Sequence, residues 1–354
     1  MVATLEFDND LGWVVYDHIV AGILSGGADT VKSGLGEVRQ GGQVTQRSRR
    51  TLDHAINGPI GMCAEALFHA VSKEEKEAGS LIPDHIKLRI ERLFSAPGEG
   101  SDHAVSIVSR RLNWLMFVDP VWTEGRLIPM LEFDHPASEP AWNGFLHCGQ
   151  VPWPPLAAII KPLLLRLFPW VEGFSWSQEF SNIAAQWLGF MRVFHPNEQS
   201  GLSQVEMRSV LRAMSDETRN RFIFWLGLVG KENENGWAEH VTPLINEDWP
   251  RERRYRTAAS MRSWIGLLVH TGDSFPIVYE AMNKFVVPVE TNDYPFYRFT
   301  GEIRDEKPIT VLFPETTLGL MNRATPQVLT RPSYELPKVL ALIAETEPNL
   351  TLDR

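Results

Sequence analysis

The sequence is poor in cysteine, in strand signals and in uninterrupted apolar runs, and each shortage removes a class of protein. Two cysteines, Cys63 and Cys148, in 354 residues cannot build a disulfide framework. Unpaired thiols suit a reducing compartment, so a cytoplasmic location is expected. No run of about 18 uncharged apolar residues occurs. The longest candidate, Val151–Leu165, is broken by prolines and by Lys161, so no membrane span is expected. Glu6, Asp8 and Asp10 stand where a signal peptide would carry basic residues, so none is expected. Excess positive charge is missing too. The formal net charge is −10 and neither half is basic, which argues against a general nucleic-acid or anionic-membrane binder.

Sequence signatures of catalysis are equally scarce. The Gly26-Gly27 and Gly41-Gly42 pairs have no strand before them, so neither forms a dinucleotide-binding turn. There is no G-x-S-x-G elbow, no phosphate loop, no H-E-x-x-H and no Cys/His zinc spacing. No cofactor, no metal and no self-sufficient active site are expected.

What the chain does have is helical periodicity. Its 44% hydrophobic and 22% charged content is ordinary for a folded protein rather than a disordered one. Apolar residues recur at i, i+3/i+4 and i+7 in five stripes: Ile86/Ile90/Leu93/Phe94, Val105/Val108/Leu112/Leu115, Phe222/Trp225/Leu226/Val229, Met261/Trp264/Ile265/Leu268 and Val278/Met282/Phe285/Val289. Pro83-Asp84 suits a first helical turn, and Gly230 reads as a C-terminal stop for the third stripe. Ser72–Glu75 and Ser203–Glu206 read as capping boxes. Breakers at Ser95–Gly100, His195–Gly201 and Asn233–Gly236 separate the stripes. The spacing predicts a dozen or more helices. The best strand signal is Ile309–Phe313, after the polar stretch Glu290–Lys307. The expected fold is therefore all-α: an irregular, HEAT-like α-solenoid without a strict repeat, with a small irregular or hairpin insertion near 290–313. Its expected halves are a helical-repeat subdomain at 1–175 and a C-terminal helical subdomain at 176–354. The 12 tryptophans are read as helix–helix packing before they are read as exposed anchors.

Several stretches resemble one family. They are Asp53–Leu67 (DHAINGPIGMCAEAL), Asn113–Pro129 (NWLMFVDPVWTEGRLIP), Ala141–Leu146 (AWNGFL), Glu290–Phe299 (ETNDYPFYRF) and Leu329–Ala341 (LTRPSYELPKVLA). Together they resemble the helical C-terminal region, including the uncharacterised last domain, of bacterial sirtuin-like antiphage defence proteins. The resemblance runs over nearly all of the chain, and its motifs are packing and turn residues. It implies a sensor or scaffold that binds a phage protein or a sirtuin-like NAD-hydrolysing effector, standing as a fragment of such a protein or as a subunit beside it. It carries over no catalytic residue.

Four local features compete for a functional role. Glu65 and His69, four apart with Asp53 and His54 nearby, make an ordinary surface pair before they make a metal or acid–base site. His147-Cys148 follows an apolar helix, where the dipole disfavours a thiolate, so a quiet structural thiol is expected. The cluster Arg251, Arg253, Arg254, Arg256 (RERRYR) and its lesser counterpart Arg47, Arg49, Arg50 fit either a solvated helix face or an acidic partner surface, with nucleic acid the less expected ligand. The segment Tyr294, Phe296, Tyr297, Arg298 has the composition of an interaction hot spot, or of a loop anchoring itself with its own rings. The leading expectation is a non-catalytic binding module, possible as a homo-oligomer. The alternatives are a helical enzyme whose site is assembled from distant residues and a purely structural oligomerisation domain.

Overall fold

The computed structural model describes residues 7, 10–36, 39–40, 43–44, 48–71, 76–289, 296, 299–301, 307–328 and 335–352. The chain is all-α. Among the described residues the sole extended pairing is a two-residue antiparallel contact, Arg39–Gln40 with Gln43–Val44. No described helix is long and apolar enough to cross a membrane. The chain divides into two compact units, residues 1–187 and 188–354, with the division inside one helix, Ser177–Phe194.

The first unit contains α1 (Asp10–Ser25), α2 (Leu52–Ile56), α3 (Pro59–Val71), α4 (Asp84–Phe94), α5 (Gly100–Arg110), α6 (Leu112–Val118), α7 (Pro120–Trp122), α8 (Ser138–Leu146), α9 (Pro154–Leu164) and α10 (Leu167–Val171), and most of α11 (Ser177–Phe194). The Val105–Leu115 stripe is shared by α5 and α6, which break at Arg111, and all four of its members are buried. Helix α5 is buried from His103 to Ser109 and packs against α2, α3, α4 and α8. A helix buried around its circumference marks a core position. Gly144 makes the α5–α8 crossing close: a Cβ there would sit 2.1 Å from the Ser106 carbonyl oxygen. Ser106 Oγ then reaches Pro140 O at 3.0 Å. Trp142 is buried beside this crossing and donates its indole N–H to Leu131 O at 2.8 Å, the partner a buried indole requires.

The second unit contains α12 (Gln204–Ala213), α13 (Asp216–Glu232), α14 (Thr242–Glu247), α15 (Ala258–Leu268), α16 (Phe275–Met282), α17 (Ile309–Leu312), α18 (Pro314–Ala324), α19 (Glu335–Thr346) and α20 (Pro348–Leu352). The Ser203–Glu206 capping box is formed in full at the start of α12. Helices α13 and α15 pack together as its central pair.

Three expectations change. Gly230 does not stop α13; the helix runs on to Glu232. That glycine instead admits the Trp237 indole, which a Cβ would meet at 2.4 Å. The stripe from Val278 to Val289 is not one helix: α16 ends at Met282, a 3-10 turn covers Asn283–Phe285, and extended backbone carries Val289 into the core. Ile309–Leu312, expected as a strand, is helical, with Phe313 N–H bonding to Ile309 O at 2.9 Å. Prolines 308 and 314 bracket it. With no strand beside it among the described residues, the segment satisfies its backbone within its own turn. Most of the expected insertion at 290–307 lies outside the described residues, as does Ser72–Glu75.

The tryptophans behave as packing residues. Trp142, Trp187, Trp249 and Trp264 are fully buried, and Trp153, at 38%, is the one exposed.

Candidate partner-binding site

The two arginine clusters have opposite environments. In the first unit, Arg49 and Arg50 are half-buried and paired with carboxylates. Arg49 Nε and Nη2 donate to Glu99 at 2.6 and 2.8 Å, and Nη2 also reaches Ser33 O. Arg50 grips Asp102 at 2.8 and 3.0 Å and approaches Glu139 at 3.4 Å. The Arg49 fork is the chief reason the Glu99 carboxyl falls to about 2. Behind them His103 is sealed from solvent, with Nε2 3.3 Å from Arg49 O and Nδ1 without a hydrogen-bond partner. Burial lowers the pKa of both His103 and His54. This network holds the segment before α2 onto α5, so its polar groups are structural. Arg47 lies outside the described residues.

In the second unit RERRYR is not a helix face. It is the connection from α14 to α15, tightened by a 3-10 turn at Arg253–Tyr255. Two aromatics pin it. Trp249 is buried edge-on against Trp264 at 4.8 Å. Tyr255 is buried too, with the Arg219 and Arg254 guanidiniums each 4.7 Å from its ring centroid. Thr257 then caps α15 by accepting from Ser260 N–H at 3.1 Å. Arg251 and Arg256 brace the turn through backbone carbonyls: Arg251 donates to Asn246 O at 3.1 Å and Arg256 to Arg251 O at 2.7 Å. Arg253 and Arg254 are exposed. Among the described residues none of these four arginines forms an ion pair. The nearby carboxylates are committed elsewhere, Glu252 to Arg212 at 2.7 Å and Asp248 to Arg192 at 2.9 Å. Lys284 adds to the positive side; burial, then the charge of Arg251, lowers its pKa while its ammonium donates to Asn246 Oδ1 at 2.9 Å.

An exposed guanidinium without a carboxylate is a ready bidentate donor for carboxylate or phosphate. The turn presents two exposed guanidiniums that form no ion pair among the described residues, within a chain of strongly negative net charge.

The remaining candidates resolve as follows. Phe296 is 3% exposed and packs edge-on against Phe299 at 5.7 Å, which in turn meets Phe275 at 6.1 Å. Tyr294, Tyr297 and Arg298 lie outside the described residues. Glu65 pairs with Arg111 at 3.0 Å and Arg110 at 3.4 Å. Cys148 follows the end of α8, and burial raises its pKa; Cys63 is pushed up to about 11 for the same reason. Neither thiol is an activated nucleophile.

Sequence reasoning missed Asp248. It is fully buried at the end of α14, and burial, outweighing Arg192, pushes its carboxyl up to about 6. With Arg192, Glu239 and His240 it lines a cavity of about 140 Å³. The residues meet across 56 positions of sequence, and a π-turn at Trp237–Val241 brings His240 there. No linear motif signals that meeting.

Comparison of the chain with protein-family models, with curated proteins and with solved structures returned no match.

Proposed function

We propose that this chain is a non-catalytic helical recognition module, binding a protein partner whose acidic surface meets the arginine turn at 251–256. The observation that carries this reading is the exposed pair Arg253 and Arg254, in no ion pair among the described residues and held on a turn that Trp249 and Tyr255 anchor. Loops fixed on a rigid helical base are where recognition residues concentrate. The resemblance of the packing motifs to antiphage proteins extends the proposal. The partner is then a phage protein or a sirtuin-like NAD-hydrolysing effector, and the setting is the bacterial cytoplasm. The module would control the effector by favouring one of its states, which requires different contacts in each.

The test is capture from phage-infected cells by the wild-type chain and by the Arg253→Glu/Arg254→Glu variant. The reading expects a discrete set of proteins that the variant loses. Identical capture by both chains rules it out.

A second reading is an enzyme with a site assembled from distant residues, and Asp248 favours it. A carboxyl near 6 beside His240 and Arg192 is the kind of perturbed group that active sites contain. The cavity is small, however: sites for drug-sized molecules run from about 300 Å³ upward. Turnover of NAD by the isolated chain, abolished by Asp248→Asn, would replace the first reading with this one.

A further inference from the structure

Helix α13 carries a second surface that the arginine turn does not explain. Phe224, in the middle of α13, is 66% exposed, and Leu228 one turn later is exposed as well. Beside them α13 and α15 leave a groove of about 500 Å³. Gly227 on α13 and Gly266 on α15 line it. Neither glycine has a positive φ, and a Cβ at either would meet nothing within 4 Å. Glycine within a helix is unfavourable relative to alanine. Here neither internal packing nor backbone conformation requires it, and what the two glycines preserve is depth for something arriving from outside.

The exposed stripe of α13 is complementary to itself. Glu217 stands seven residues before Phe224 and Lys231 seven after it, so both lie two turns away on the same face. A two-fold axis at Phe224 sets two α13 helices antiparallel and places each Glu217 against the other copy's Lys231. The same axis lays Arg221 over Gly227, where no Cβ obstructs it, and Leu228 over Asn220. Phe224 meets its own copy at the centre. A two-fold interface demands this self-matching, with residue i on j and j on i. An apolar aromatic centre with charged ends is also the usual anatomy of an interface. An unrelated partner helix would have no reason to match the charge order of α13 itself.

We propose that the α13–α15 groove is the homodimer interface of this chain, with Phe224 at its two-fold axis. This does not depend on what the arginine turn binds.

The experiment is sedimentation equilibrium of the full chain from about 1 µM to 1 mM, a range that brackets weak to moderate dimers. The wild type should show a monomer–dimer equilibrium. Glu217→Lys alone and Lys231→Glu alone each place like charges at both ends, and each should weaken self-association at least tenfold. Mixed together, the two variants regain both ion pairs and should form a heterodimer close to wild-type strength. Because that mixture associates only if both variants are folded, it also controls for misfolding. Phe224→Arg, at an exposed position, should be monomeric with an unchanged melting temperature. A wild type that stays monomeric throughout, a dimer indifferent to both charge swaps, or a mixture that fails to associate would each overturn the proposal.

Discussion

Arg49 and Arg50 in the first unit and Arg253 and Arg254 in the second are alike in sequence and opposite in use. The first pair is closed on Glu99 and Asp102. The second pair forms no ion pair among the described residues and faces solvent. Glycines divide the same way. Gly144 lies under the Ser106 carbonyl at a helix crossing, whereas Gly266 opens onto a groove. In the first unit these residues hold the fold together. In the second, Arg253 and Arg254 stay exposed and in no ion pair among the described residues, and Gly266 opens onto a groove. Composition cannot distinguish the two cases; environment does.

The contrast breaks most easily at the glycines. Gly144→Ala should destabilise the protein by about 3 kcal/mol, since a Cβ there must displace backbone and not a flexible side chain. Gly266→Ala should stabilise it by about 0.5–1 kcal/mol through helix propensity alone. Urea titrations of both variants check this, and a loss of stability for Gly266→Ala would contradict open space beside that position.

The arginines come next. Arg49→Ala leaves Glu99, 15% exposed, without its main counter-charge. A cost of about 2 kcal/mol is expected, below that of a fully buried pair because Arg49 is partly solvated. Arg253→Glu/Arg254→Glu should change stability by no more than about 0.5 kcal/mol, the usual range for exposed substitutions. Thermal melts of the two variants in parallel sharpen the comparison.

The smallest effect is that of pH. Burial lowers the pKa of His54, His103 and His147 in the fold below the ordinary 6.5. At these histidines the unfolded chain binds more protons, so their contribution falls as pH drops below 6.5. Asp248, raised to about 6, opposes it by binding its proton in the fold from about 6 down to the ordinary 3.8. Glu99 acts later. Its folded pKa of about 2 lies below the ordinary 4.5, so its contribution is complete above 4.5 and is lost on the way down to 2. In melting temperatures from pH 8 to 3, His103→Gln should reduce the loss just below pH 6.5 and leave the loss below pH 4.5 unchanged.

How much of this was legible beforehand depended on whether the signal was local. Stripes such as Met261–Leu268 were readable because helical period and burial coincide on one element. So was the capping box at Ser203, where both partners lie within four residues. Ile309–Phe313 misled because β-branched residues favour strands only where a neighbouring strand exists. Gly230 misled because its purpose is contact with Trp237, beyond the end of the helix. For the site, the sequence marked RERRYR as unusual but placed it on a helix. Pro250 and the buried Trp249 and Tyr255 make it a turn. The exposed face of α13 escaped notice because Phe224 lies opposite a well-read core stripe on the same helix.

The most direct test pairs two readings on the Arg253→Glu/Arg254→Glu variant: its melting temperature, and its capture of proteins from phage-infected cells beside the wild type. The account predicts an unchanged melting temperature with capture lost. Unchanged capture, or a melting temperature lowered as far as that of Arg49→Ala, would contradict it.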